Sequence, residues 1–66
     1  MNLFHAIPAY RAFEGAVIEA VEQLGECCTS DAQGIVDAQA WLMSQAFGAD
    51  MDPAEAAAQI LAKGAA

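Results

Sequence analysis

Residues 30–48 read SDAQGIVDAQAWLMSQAFG. Ser30-Asp31-Ala32-Gln33 has the form of a capping box, a hydroxyl residue followed three places later by Gln. Asp31 would sit in the first turn, where an acid meets the positive end of the helix dipole. A helix is therefore expected over about 31–47, ending at Gly48. Its apolar positions Ala32, Ile35, Val36, Leu42, Met43, Ala46 and Phe47 form one broad face at about 100° per residue, with Gln39 interrupting it. Trp41 falls almost opposite the centre of that face, flanked by Gly34, Asp37, Ala38, Ser44 and Gln45. A large ring on the polar side of a helix is the sharpest anomaly in the chain.

Upstream, Pro8 suits the first turn of a helix over about 8–24, and Gly25 is placed to end it as a left-handed cap. Tyr10, Phe13, Val17, Val21 and Leu24 recur at three- and four-residue spacing, with Ala16 and Ala20 alongside, and predict one buried stripe. Glu14, Glu19 and Glu22 fall outside it. Ile18 also falls outside, among Arg11, Glu14 and Glu22, and is expected as an exposed apolar outlier.

Downstream, Asp52-Pro53-Ala54-Glu55 combines an acid at the cap, Pro at the first helical position and Glu at the third, with apolar Met51 before them. A helix over about 53–63 follows, docked by Ala57, Ile60 and Leu61 and ended by Gly64. No strand pattern, repeat or glycine-rich loop is present. The expected fold is all-α: a single domain over 1–66 forming a compact three-helix bundle behind a short N-terminal arm, residues 1–7.

The chain has 66 residues, 58% of them hydrophobic, but 17 of these are Ala. The core is therefore thin, and chains of this size without disulfides or metal often gain stability from a second copy or a partner. A homo-oligomer, most simply a dimer, is expected. Two basic residues, Arg11 and Lys63, stand against nine acids, for a net charge of −7. Phosphate backbones and anionic membranes are bound by clustered Lys and Arg, which predicts no direct nucleic-acid or membrane binding. An acidic surface favours a protein partner with a basic surface. The first residues lack a basic, then apolar, signal pattern, and the longest uncharged stretch, residues 38–49, is too short to cross a bilayer, so a cytoplasmic chain is expected.

Chemistry has few candidates. His5 lies in the arm, and Cys27 and Cys28 lie at the far end of the first helix, about 24 Å away along a helix of some 16 residues. Adjacent thiols lack the C-x-x-C spacing that lets two sulfurs face one zinc ion. Asp50-Met51-Asp52 resembles the start of a calcium loop, but no Gly stands at its sixth position. Neither an enzyme nor a cofactor or metal site is expected. Glu19, Glu22 and Glu26 form an acidic ridge.

The expected function is a small acidic interaction module, of the kind a phage or mobile element uses to inhibit a host protein or nucleic-acid-binding complex. Trp41, Ile18, Asp37, Gln45, Glu19 and Glu22 are the candidate partner-binding residues. Trp41 is expected to meet either the arm, through Leu3, Phe4 and Ile7, or another chain, where Gly34 and Ala38 would admit a symmetry-related helix. The alternatives are a self-assembling structural subunit and a small-ligand-binding oligomer with a pocket between subunits.

Overall fold

The first helix, α1, runs from Pro8 to Gly25 in the computed structural model, which describes residues 7–64. Pro8 occupies the first turn, where its missing N–H costs nothing, and Ile7 before it is extended. At about 27 Å its 18 residues match the 28 Å long dimension of the molecule. Tyr10, Val17 and Val21 are buried, with Phe13, Ile18 and Ala20 packed against the same core.

Three expectations for the side chains of α1 are corrected. Ile18 is half-buried rather than exposed, because the helix packs on more than one side. Ile18 and Gly25 lie seven residues apart, within about 20° of each other around the axis, and a Cβ added at Gly25 would come within 3.3 Å of Leu61 Cδ2 on the last helix. A helix lodged between neighbours buries an arc wider than one stripe. Leu24, by contrast, has the right angle for the core but is 57% exposed, because it lies in the final turn, beyond the buried Val21. Ala16, expected beside the stripe, is exposed too.

The chain leaves α1 through Glu26 rather than Gly25. Glu26 takes the left-handed conformation (φ 51°, ψ 45°), and the Cys27 N–H donates back to the Glu22 carbonyl at 3.2 Å. This is the bond that closes a Schellman motif. Gly25 stays helical and serves instead at the close approach to Leu61.

The largest correction concerns residues 29–48. They form two helices, α2 (Thr29–Ala38) and α3 (Ala40–Gly48), where one was expected, so the described residues are all-α with four helices and are not a three-helix bundle. The capping box is not used either: α2 begins at Thr29 after an extended Cys28, with no side-chain cap, and its first bond joins the Ala32 N–H to the Cys28 carbonyl at 2.9 Å.

The break falls on Gln39, whose φ of −119° and ψ of 45° leave the helical region. Its N–H donates to Val36 O at 3.0 Å and its carbonyl accepts from Met43 N–H at 3.1 Å, so both main-chain groups remain paired. On a straight helix Gln39 would point within about 60° of both Val36 and Met43, into the core. Burying an unpaired amide there is costly. With the chain bent, the Gln39 Nε2 instead donates to the main-chain oxygen of Ile60 at 2.8 Å. A straight helix over all 20 residues would also be about 30 Å long, more than any dimension of the molecule.

The last helix, α4 (Pro53–Gly64), begins as expected. The Asp52 carboxylate accepts from the Ala54 N–H at 3.2 Å, and the Asp52 carbonyl accepts from Ala56 N–H at 3.0 Å. Ala56, Ala57 and Ile60 are fully buried. The small side chains of Ala56 and Ala57 let α4 lie close to α1, its main neighbour. At the other end of α1, Phe47 of α3 stacks edge-on against Tyr10 with centroids 5.2 Å apart, and lies 5.8 Å from Phe13. All four helices share one core, Tyr10, Val17, Val21, Ala32, Val36, Leu42, Met43, Ala46, Ala56, Ala57 and Ile60.

Candidate interaction surface

Trp41 is the second residue of α3 and is 76% exposed. Its successor residues Leu42 and Met43 are buried, so the register of α3 is fixed by the core and the indole is turned outward by it. On the same side of α3, Gln45 and Gly48 follow at four- and seven-residue spacing and are exposed, with Ser44 half-buried. The Asp37 and Ala38 positions, also exposed, end α2. The bend at Gln39 separates them from Trp41 by a change of axis, so they no longer flank it at straight-helix spacing.

The other candidate residues are dispersed. Glu19 is exposed on α1, while Glu22 is half-buried. Ile18 is half-buried and packs against the core. The contact foreseen between Trp41 and the arm involves Leu3 and Phe4, which lie outside the described residues, as does His5. Ile7, at the start of α1, is 39% exposed.

The sequence reading missed Leu24 as a surface residue. Its position in the last turn of α1, just before the cap, was the available signal. Gly34 and Gly48 have no heavy atom within 4 Å of an added Cβ, so both are open.

The charge is almost all of one sign. Glu19, Glu26, Asp31, Asp37, Asp50, Asp52 and Glu55 are exposed, Glu14 and Glu22 are half-buried, and among the described residues no charged side chain is buried. Asp52 is engaged as the cap of α4. Asp50 takes a left-handed conformation (φ 56°) that ends α3, with Met51 N–H donating to Ala46 O at 3.0 Å. The calcium-like Asp50-Met51-Asp52 thus serves to connect two helices.

Cys27 and Cys28 are free thiols: the first is half-buried with its Sγ 3.8 Å from Val21 O, the second is exposed at the start of α2. Among the described residues there is no cavity, no group of three His, Cys, Asp or Glu able to hold a metal ion, and no helix long and apolar enough to cross a membrane. No family model, curated protein or solved structure matches the chain.

Proposed function

We propose that this chain is a non-enzymatic protein-interaction module that acts from its exterior, with Trp41 as its anchor and an acidic surface that selects a basic partner. The observation that carries this reading is the exposure of Trp41 on a helix whose opposite side is fixed in the core. Trp is among the residues enriched at binding hot spots, and leaving an indole in water is unfavourable unless something covers it. Gln45 on the same side of α3, Asp37 at the end of α2 and Glu19 on α1 supply polar and acidic contacts. A cytoplasmic inhibitor carried by a phage or mobile element, one that occupies a basic surface of a host protein or nucleic-acid-binding complex, is the biological role that suits this surface.

A second reading is self-assembly, most simply a dimer. The open Cβ positions of Gly34 and Gly48 favour it, since they admit a close helix from another copy. The charge of −7 on each copy opposes it.

Comparative capture separates these readings. The immobilised chain should retain a protein that the Trp41→Ala chain releases, while dilute chain sediments as a monomer. Identical proteins on both forms would count against Trp41 as the anchor, and a dimer dissociated by Trp41→Ala would favour self-assembly.

A further inference from the structure

Between Arg11 and Lys63 the chain contains no lysine or arginine, and all nine acids fall in that interval. Trp41 lies within it. Among the described residues, the other exposed large hydrophobics are Ile7 and Leu24, which belong to the two ends of α1. Its neighbours along α3 are Ser44, Gln45 and Gly48. A hydrophobic docking face needs a contiguous apolar patch with several anchors, and among the described residues α3 exposes no large hydrophobic besides Trp41.

A bare indole face does carry a negative electrostatic potential from its quadrupole, and the carboxylates of a −7 chain deepen it. Both terms attract a cation. A second copy would bring seven further negative charges to the same place, so charge complementarity argues for a basic occupant over a self-contact.

We propose that Trp41 seats a guanidinium group from an arginine-rich segment of the partner, stacked on the indole by a cation–π contact inside the acidic field of the chain. Arginine is favoured over lysine because its planar, weakly hydrated cation stacks on an aromatic face at lower desolvation cost. This inference rests on the interaction reading above and names the chemistry of its partner.

The test titrates the whole chain with three peptides of equal length, hexa-arginine, hexalysine and an uncharged Leu/Ala peptide, at low salt. Trp41 is the one Trp in the sequence, so its emission reports contact directly. Calorimetry follows the variants. Hexa-arginine should bind best, weaken as salt rises, and lose about three- to tenfold in affinity in Trp41→Ala, the scale of a partly desolvated cation–π contact. Trp41→Phe should recover part of that loss. Circular dichroism should show both variants folded, because the side chain is exposed.

Equal binding of hexa-arginine to the native and Trp41→Ala chains overturns the proposal, since charge alone would then account for capture. Binding of the Leu/Ala peptide in preference to hexa-arginine overturns the basic chemistry but leaves an interaction module standing. A dimer that Trp41→Ala dissociates, with no peptide bound, makes a second copy the occupant and also overturns it. A monomer whose Trp41 emission answers to none of the three peptides removes both this inference and the reading beneath it.

Discussion

The side-chain amide of Gln39 donates to the main-chain oxygen of Ile60, 21 residues later, at 2.8 Å. This one bond ties the bend between α2 and α3 to the buried stretch of α4. It also explains how a polar residue can occupy the middle of an apolar face. Gln39→Ala should therefore destabilise the chain by about 1 kcal/mol, the net value of a hydrogen bond of this kind. For a domain this small that lowers Tm by roughly 4–8 °C. An unchanged melting midpoint would show that the bend does not depend on the amide.

Glu26 holds a left-handed conformation that suits glycine better, and it places a negative charge at the C-terminal end of α1, where the helix dipole is also negative. Glu26→Gly should raise stability by about 0.5–1 kcal/mol. Glu26→Gln removes the charge but keeps the backbone strain, and should recover only part of the gain. Equal urea midpoints for the two variants would assign the whole effect to charge.

Two glycines of α1 should respond differently to alanine. Gly15 is exposed in mid-helix with nothing within 4 Å of an added Cβ, so Gly15→Ala should add about 0.5–1 kcal/mol by helix propensity alone. At Gly25 the new methyl would lie 3.3 Å from Leu61 Cδ2, tighter than comfortable contact, so the Leu61 side chain has to yield by a few tenths of an ångström. Gly25→Ala should gain less than Gly15→Ala or lose stability. A larger gain at Gly25, measured by urea denaturation, would contradict the close packing of α1 on α4.

Removing the cap of α4 is the fourth case. Asp52→Ala deletes the acceptor for the Ala54 N–H and should cost about 1 kcal/mol, while Asp52→Ser or Asp52→Asn should retain most of it. A thermal scan of the three variants checks the order. No difference between Ala and Asn would mean that the 3.2 Å contact contributes nothing.

Local signals in the sequence were reliable where chemistry and geometry coincide within a few residues. Asp52-Pro53 marked the start of α4, Pro8 marked the start of α1, and Tyr10, Val17 and Val21 marked its buried side. The errors came from long-range relationships. Gln39 was visible as an interruption, but only the position of Ile60 O turns that interruption into a bend and a fourth helix. Ile18 looked exposed because a single stripe describes one neighbour, whereas α1 also packs against α4 on the side marked by Gly25. Glu26 rather than Gly25 makes the left-handed turn, and Gly25 stays helical where Leu61 approaches. Trp41 stood out at once, since the residues that bury Leu42 and Met43 leave no inward direction for it. The sequence places Glu19 and Glu22 on a different helix from Asp37 and Gln45, but the separation of Asp37 from Gln45 onto α2 and α3 follows from the bend at Gln39 and was beyond a one-helix projection.

Acrylamide quenching of Trp41 fluorescence, in dilute monomeric chain and again in complex with the protein that the native chain retains, tests the central claim most directly. The ring should be fully accessible to the quencher alone and shielded in the complex. A ring already shielded in the monomer, or one left equally accessible in the complex, would contradict an interaction module anchored at Trp41.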